Sequence, residues 1–522
     1  IDISQNFPSI FQLTPSKKYY DFYSPTIDKS LPYPFWDDRD VDSNSVTGYL
    51  NYNQTKTLLS NLKHNTTTFN LAESLHNTLD SSYSQTNGVK VYEIVGSNQP
   101  TLGQIIETYY LVWPVNLLPR RDELYINGDG TVPIYSASLK SDSQDLSGAH
   151  KIYYVEQQHS NLVSQSGTAM QTVKAILNET NPLPTQVKDQ KISLEGRQIS
   201  VDQDTSLDLY DDSNNHTGLN SSGDVETNIS NTFYNSLEDS KHVFIKKSAS
   251  KVKVKVKSTK TAKVKIKVRN YSADKIDKTI FYSDVPITTS STIQFDLDPT
   301  LTSAPVLSID AQTVSATSEI SGSSAIDQTP PATTVTLSGT KDSSGIYNTS
   351  GAKVTLTTTD SESGVLKTEY SLDNGTTVKT YTETFTITTS GKNTLLVKST
   401  DNLGNEEKTQ TITIEVASSS SSSSSSSGSS SSTDTSSAST ATSTIPEDLS
   451  NAKVLGASFQ NPIEPKTEIN QQTVLGTQTS DSLTSGQILN IILITSAGVV
   501  FVASIALGVT FITSRGIFKI LS

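Results

Sequence analysis

An unbroken serine run from Ser418 to Ser427 divides this sequence more firmly than any other feature. It lies within residues 417–444, which are almost entirely Ser and Thr. Such small polar side chains cannot bury enough apolar surface to offset the conformational entropy that is lost on folding. We therefore expect a Ser/Thr-rich, disordered spacer over 417–486, with folded domains before it and a separate segment after it.

The segment that follows the spacer, residues 488–512, contains no charged side chain. At about 1.5 Å per residue, a helix of this length crosses a bilayer core of roughly 30 Å. Arg515 and Lys519 follow directly, and basic residues mark the cytoplasmic side of membrane helices. The pattern predicts one transmembrane helix at 488–512, a cytoplasmic tail at 513–522, and a cell-membrane protein with the bulk of the chain outside the cell.

Composition restricts the partners and the compartment. The net charge is −13, whereas nucleic-acid binding requires a positive surface, so no nucleic acid is expected as a partner. The absence of Cys excludes disulfides and thiolate metal sites, and is compatible with an exported bacterial surface protein. The histidines lack paired ligand spacing. We predict no cofactor and no metal.

The N-terminal region, residues 1–184, alternates strand and helix signals. Period-two or β-rich runs predict strands at 88–95, 122–127 and 151–155. Apolar residues at helical spacing predict a helix over 166–178. Strands that alternate with helices indicate an α/β layer.

The next region, residues 186–300, has the pattern of a β-sandwich. Residues 251–268 alternate Lys with Val or Ile at period two, which predicts two half-buried strands joined by a turn at 258–262. We interpret the lysines as the solvated face of an edge hairpin, because Lys on an edge strand opposes aggregation. The alternative is a lysine surface that binds an anionic polymer or lipid headgroups.

A Ser/Ala/Thr-rich stretch, residues 301–328, predicts a linker. Short β-rich runs separated by turn signals then occupy residues 329–416. Several short strands at this spacing in under about 100 residues predict an Ig-like β-sandwich. The predicted fold class is therefore a multidomain chain, with an α/β part followed by two all-β sandwiches, a spacer and one membrane helix.

Two loops of the N-terminal region contain candidate catalytic residues. Asp129 lies between two glycines directly after a predicted strand, and His159 directly follows the next predicted strand. A serine hydrolase needs a carboxylate that orients a histidine and stabilises its imidazolium. An acid followed by a histidine along the chain is the α/β-hydrolase order. Asp129 and His159 are thus the predicted catalytic acid and base.

Residues 1–180 resemble the C-terminal third of the lecithin:cholesterol acyltransferase-like family of α/β-hydrolases. The matching motifs are residues 6–16, residues 92–102 (YEIVGSNQPTL), the segment Gly128–Pro133, and His159 with the helix after it. The resemblance implies a truncated α/β-hydrolase domain in which Asp129 is the triad acid and His159 the general base.

The later β regions resemble modules of exported bacterial proteins. Residues 206–220, with the Lys/Val strands after them, are similar to a β-sandwich that is appended to exported hydrolases. Residues 359–375 and 400–405 resemble bacterial extracellular Ig-like repeats. These resemblances imply spacing or adhesion rather than catalysis.

The sequence contains no Gly-x-Ser-x-Gly motif, where the family has its nucleophile. Since Ile1 begins the sequence without a signal-peptide pattern, we expect that a preceding region with the nucleophile is missing. The expected activity is that of a cell-surface serine ester hydrolase or O-acyltransferase on lipid or other acyl esters. A deacylase or thioesterase, or a non-enzymatic surface adhesion or binding protein, remains open.

Overall fold

A computed structural model describes the following residues of the chain: 16–22, 35–39, 48–61, 66–82, 91–112, 116–138, 150–178, 182–202, 205–237, 240–418, 490–495, 499–504, 508–513 and 516–520. Two of the sequence-based predictions fall largely outside these ranges. The spacer predicted for 417–486 is described only at its first two residues, and the family-like residues 6–16 only at Ser16.

The described residues of the N-terminal region form five α-helices and six strands. The helices are α1 Lys17–Phe22, α2 Tyr52–Asn61, α3 Thr66–Ser82, α4 Ile134–Ser138 and α5 Thr168–Leu177. The strands are β1 Phe35–Arg39, β2 Gly48–Tyr49, β3 Val91–Gly96, β4 Gln99–Val112, β5 Asn116–Gly128 and β6 His150–Val155. β3 and β6 pair in parallel, while a second sheet has the order β2-β1-β4-β5.

The strands and the helix predicted from sequence in this region are present, but the α/β-hydrolase sheet is not shown. Among the described residues, β3 and β6 form a two-stranded parallel sheet, and β4 and β5 form a long antiparallel hairpin that leaves the end of β3. A parallel hydrolase sheet needs further strands on the edges of such a pair. β3, β6 and α5 therefore form one α/β layer. In this layer, Ala169 of α5 packs against Ile94 and Val155.

In the part of the first sandwich that the structure describes there are thirteen strands: β7 Gly196–Asp202, β8 Thr205–Tyr210, β9 His216–Leu219, β10 Val225–Thr227, β11 Thr232–Ser236, β12 Ser240–Lys246, β13 Val252–Ser258, β14 Ala262–Ser272, β15 Lys275–Ile287, β16 Ile293–Leu297, β17 Leu307–Ile309, β18 Gln312–Val314 and β19 Ser318–Ser321. They form two sheets with the orders β10-β9-β8-β13-β16-β17-β18 and β11-β12-β7-β14-β15-β19. The apolar faces of the two sheets meet in one buried core.

The Lys/Val strands lie in different sheets, which differs from the predicted edge hairpin. β13 lies between β8 and β16, and β14 lies between β7 and β15. Val254 and Ile266 are both fully buried, because both strands turn their apolar side toward the core between the sheets. Alternation therefore identified which residues are buried but not which strands are neighbours.

Residues 301–328, predicted as a linker, contain three short strands. β17 and β18 extend the first sheet, and β19 pairs with β15 in the second. These pairings give hydrogen-bond partners to backbone N–H and C=O groups of β15 and β16. Those groups would be unpaired if the strands were open edges. The first sandwich thus continues to Ser321, and a 3₁₀ helix at Gly322–Ile326 leads to the next domain.

The second sandwich is built from the strands predicted in 329–416. These are β20 Ala332–Ser338, β21 Ala352–Thr359, β22 Val365–Ser371, β23 Lys379–Thr380, β24 Phe385–Ile387, β25 Gly391–Asp401 and β26 Gln410–Val416. Sheets of order β20-β21-β24 and β23-β22-β25-β26 enclose a core that includes Val354, Leu395 and Val397.

The C-terminal segment contains strands where a transmembrane helix was predicted. They are β27 Asn490–Thr495, β28 Val499–Ser504, β29 Gly508–Thr513 and β30 Gly516–Ile520, paired consecutively and antiparallel. These residues are rich in Val, Ile and Thr, and β-branched side chains favour strands as well as membrane helices. Among the helices that the structure describes, none combines the length and the apolar character that a membrane crossing requires.

Candidate functional site

The candidate site lies where the parallel strands β3 and β6 end. Gly96, the last residue of β3, pairs with Val155, the last residue of β6, and the N–H of Ser97 donates to the carbonyl of Val155 at 2.9 Å. The chain then leaves as the β4–β5 hairpin and returns at Asp129. Parallel pairing brings both strand ends to the same edge, so the loop carrying Asp129 and the loop carrying His159 meet there.

Asp129 is a fully buried carboxylate with a partner for each oxygen. Its Oδ1 accepts the backbone N–H groups of Thr131 at 3.0 Å and Val132 at 2.7 Å. Its Oδ2 lies 2.9 Å from Nδ1 of His159. Two backbone donors within the same turn fix the carboxylate plane, so Oδ2 points at the imidazole.

The turn around Asp129 depends on its glycines. Gly130 has a φ of +92°, a conformation that L side chains rarely adopt. A Cβ at Gly96 would come within 2.4 Å of the Cβ of Asp129, which essentially no real structure contains. The glycine at the end of β3 therefore lets the acid loop approach the strand directly.

The loop of His159 is held independently of the side-chain pair. The backbone N–H of His159 donates to the carbonyl of Asp129 at 2.8 Å, and the residue begins a short 3₁₀ turn that ends at Asn161. Gln157 accepts the N–H of Ala169 at 3.1 Å through Oε1, which satisfies a free donor in the first turn of α5. The imidazole is thus fixed in position by backbone contacts from the acid loop and the following helix.

His159 has one ring nitrogen bound and the other available. Its side chain is 29 % exposed, and Nδ1 faces Asp129. Within the described ranges, no hydrogen bond to its Nε2 is present. A base whose Nδ1–H is held by a carboxylate keeps Nε2 as the acceptor, which is the tautomer that abstracts a proton.

Two other histidines show the opposite arrangement. His216 lies between Glu226 at 2.9 Å through Nδ1 and Asp208 at 3.1 Å through Nε2. His242 is buried and shares hydrogen bonds with Ser200 and Ser240 through its two nitrogens. Neither leaves a ring nitrogen for a substrate, so among these three only His159 has the geometry of a general base.

The site abuts the first sandwich. A cavity of about 700 Å³ lies between the two, lined by Gln157 and Asn161 of the histidine loop and by Phe233 and Lys246 of the sandwich. Neither Asp129 nor His159 lines this cavity. It is an interdomain cleft beside the pair rather than a demonstrated substrate pocket.

The β4–β5 hairpin joins the site to the first sandwich. Tyr125 donates its N–H to the hydroxyl oxygen of Tyr271 at 3.1 Å, and its ring lies edge-on to Phe244. Asp122 binds Lys267 at 3.1 Å and Arg269 at 3.2 Å through Nη1. The outer face of β14 is therefore an interface, not the solvated lysine face expected from sequence.

This interface was not visible in the sequence. The hydrogen-bonded and ion-paired side chains that form it are 145 to 147 residues apart, and no local pattern links them. The acidic group Asp327, Asp360 and Asp401 was missed for the same reason. Asp327 and Asp360 lie in polar loops and Asp401 ends β25, and their spacing matches no standard metal motif. The strand order did predict that Asp129 and His159 lie close together.

No protein-family model and no curated protein matches the sequence. The resemblance to α/β-hydrolases therefore has no support from these comparisons. Two solved β-domain structures show weak similarity. The crystal structure of the PKD1 domain of Vibrio anguillarum Epp is 16 % identical, covering 17 % of this chain and 99 % of that one, with a TM-score of 0.14. The fibronectin(III)-like modules of Clostridium thermocellum CbhA are 13 % identical, covering 32 % and 86 %, with a TM-score of 0.15. Values this low support no functional argument, and the assignment of two β-sandwiches stands on the strand pairing itself.

Proposed function

We propose that Asp129 and His159 are the acid and the general base of a serine ester hydrolase or O-acyltransferase. The proposal rests chiefly on one observation, the 2.9 Å approach of the buried Asp129 carboxylate to Nδ1 of a half-buried histidine. The substrate would be a lipid or another acyl ester outside the cell. The nucleophilic serine lies outside residues 1–522 in this proposal, because no Gly-x-Ser-x-Gly motif occurs within them.

In this reaction the serine hydroxyl attacks the ester carbonyl and loses its proton to Nε2 of His159. The imidazolium that forms is stabilised by the carboxylate of Asp129, which keeps its own negative charge. His159 then delivers the proton to the leaving alcohol as the ester bond breaks. Water or a second alcohol removes the acyl group from the serine, with His159 again accepting the proton. The choice between them distinguishes hydrolase from transferase.

The competing proposal is a non-enzymatic surface adhesion or binding protein. It is favoured by the two sandwiches, which make up most of the described chain, and by the lysines on the outer face of β13 such as Lys253 and Lys257. An anionic surface polymer is the ligand class that those lysines would suit. A deacylase or thioesterase would use the same acid and base on another acyl compound.

We further propose that the charge-free segment 488–512 anchors the protein in a cell membrane, with the preceding domains outside the cell. The support is the length of the apolar run together with Arg515 and Lys519 after it. Protease added to intact cells should then cut within 417–486. Cleavage that requires permeabilised cells would contradict this orientation.

The activity proposal is tested by comparing two proteins on a short-chain acyl ester. Residues 1–522 alone should show no turnover, because His159 activates a nucleophile but does not replace one. A longer protein in which the proposed serine-containing region precedes residues 1–522 should hydrolyse the ester and bind a serine-directed inhibitor covalently. A longer product without a Gly-x-Ser-x-Gly serine, or one without turnover, would favour the binding-protein alternative.

A further inference from the structure

Three aspartates from separate parts of the chain converge where the two sandwiches join. Asp327 follows the 3₁₀ helix that leaves the first sandwich, Asp360 follows β21, and Asp401 ends β25. One carboxylate oxygen from each lies within 4.8 Å of the other two. Asp401 is fully buried and Asp327 is 5 % exposed, so two of the three negative charges are shielded from water.

Backbone donors hold these carboxylates in fixed orientations. Oδ1 of Asp401 accepts the N–H groups of Leu403 at 2.9 Å and Asn405 at 2.8 Å. Oδ1 of Asp360 accepts those of the second and fourth residues after it. Among the ion pairs that the structure describes, none involves Asp327, Asp360 or Asp401. Clustered carboxylates without a cation partner repel one another.

A buried hydroxyl provides an independent sign of a ligand. Ser363 is 6 % exposed, and its N–H donates to Oδ2 of Asp327 at 3.0 Å. Its Oγ lies beside the carboxylate of Asp401 but makes no hydrogen bond of normal geometry with any described residue. Buried hydroxyls usually have a hydrogen-bond partner, so the Oγ of Ser363 is available to a ligand that the carboxylates bind.

We propose that Asp327, Asp360, Asp401 and the hydroxyl of Ser363 bind one calcium ion. The available ligands are all oxygen, and three carboxylates with a hydroxyl match the hard, flexible coordination of Ca²⁺. Zn²⁺ prefers nitrogen and sulfur ligands, and Mg²⁺ demands a tighter octahedron and retains several waters. The remaining positions of the 6–8 that calcium uses would be filled by water or backbone carbonyls.

The position of the site gives the ion a structural role. Asp327 belongs to the segment that leaves the first sandwich, whereas Asp360 and Asp401 belong to loops of the second. Asn405 already donates to the carbonyl of Asp327 at 3.0 Å. An ion bound by all three carboxylates adds a strong link across this junction, so calcium should stiffen the connection between the sandwiches.

Calcium binding is measured on the full chain by titration calorimetry, and thermal unfolding is followed in EDTA and in millimolar CaCl₂. The test variant is Asp360→Asn, which removes a charge but keeps an oxygen that accepts the turn's N–H groups. The matched control is Asp342→Asn, because Asp342 accepts the N–H groups of Ser344 and Ile346 in the same turn geometry and lies outside the cluster.

We expect calcium to raise the Tm of the native chain and of Asp342→Asn equally. Asp360→Asn should lose affinity by about tenfold or more, since charge count sets calcium affinity. In EDTA it should be at least as stable as the native chain, because one repelling charge is gone. No calcium-dependent shift in the native chain, or equal shifts in both variants, would overturn the proposal. A larger response to Mg²⁺ than to Ca²⁺ would also overturn it.

Discussion

Oδ2 of Asp129 lies 2.9 Å from Nδ1 of His159, although 30 residues separate them in the chain. The two residues meet because each follows one of two paired parallel strands, β3 and β6. The β4–β5 hairpin lies between β3 and Asp129 in the chain. It starts next to Gly96 and ends next to it, so Asp129 still lies at the end of β3. The proximity predicted from sequence is confirmed, and the catalytic role of the pair stays a prediction.

Asp129→Asn should change the tautomer of His159 while leaving the fold intact. The Asn carbonyl oxygen still accepts the N–H groups of Thr131 and Val132, but the NH₂ group that faces Nδ1 donates a hydrogen bond and does not accept one. Nitrogen NMR of the imidazole should report Nδ1–H in the native chain and its loss in the variant. Asp129→Ala also leaves both backbone N–H donors without this acceptor. In urea unfolding it should lower the free energy of unfolding by about 1–3 kcal/mol more than Asp129→Asn does. An Nε2–H tautomer in the native chain would contradict the account.

Gly96→Ala should disrupt the site through packing alone. The added Cβ would overlap Asp129 and approach the carbonyl of Gln157 at 3.0 Å, so we expect a loss of about 1–3 kcal/mol, typical of an overpacked interior. The control is Ser97→Ala. That variant removes a buried hydroxyl without a partner and should be neutral or slightly stabilising. Equal stability of the two variants would show that the acid loop can move away from β3.

Sequence patterns identified the strands but not their partners. The valines of β13 and β14 are buried as period two predicts, since alternation reports which side of a strand faces a core. It does not report which sheet a strand joins. Lys265 and Lys267 were therefore assigned to solvent, whereas they bind Glu406 and Asp122 of other domains.

The same reasoning explains which sites could be found. Asp129 and His159 were recognisable because each directly follows a predicted strand, and parallel strand ends meet locally. Asp327, Asp360 and Asp401 meet only after two sandwiches have folded and docked. Contacts of that kind depend on tertiary packing. A periodic pattern in one sequence does not report which distant segments pack together.

Asp122 should make the hairpin interface sensitive to acid. Burial alone would raise the pKa of Asp122, but the charges of Arg269 and Lys267 outweigh it and hold the pKa well below its usual value. A carboxylate with a depressed folded-state pKa stabilises the fold above its unfolded-state pKa of about 3.9, and this contribution is lost as the pH falls through the folded-state pKa. Urea unfolding from pH 7 to pH 2 should show this loss in the native chain.

The matching variant is Asp122→Asn, which leaves Arg269 buried without its counter-charge. We expect this variant to lower the free energy of unfolding by about 3–5 kcal/mol at pH 7. Its free energy of unfolding should also depend less on pH in the acid range. Asp296→Asn, which breaks an exposed pair with Lys251, should change the free energy of unfolding little, because solvent screens surface ion pairs. Similar losses for both variants would mean that the interface ion pairs contribute no more than a surface pair.

Glu406 should couple the two sandwiches. It accepts from Lys265 of the first sandwich and, at 2.6 Å, from Lys398 of the second. Burial would raise its pKa, but the two lysines reverse the effect and lower it. Glu406→Gln should lose about 1.5–3 kcal/mol, the range for hydrogen bonds to charged groups. Calorimetry should show the two sandwiches unfolding at more widely separated temperatures. The control is Glu319→Gln, which removes an exposed pair with Lys278. It should change neither the free energy of unfolding nor the separation of the two unfolding temperatures appreciably.

The most direct measurement is the kcat/KM of the longer, serine-containing protein on a short-chain acyl ester, compared between His159→Ala and His216→Ala. His216 also binds carboxylates, but both its ring nitrogens are occupied and it lies on the first sandwich. The account predicts that His159→Ala lowers kcat/KM by at least about 10³-fold, as expected for a general base, while His216→Ala leaves it nearly unchanged. Equal activity of the two variants, or full activity of His159→Ala, would contradict the assignment of Asp129 and His159 as the catalytic pair.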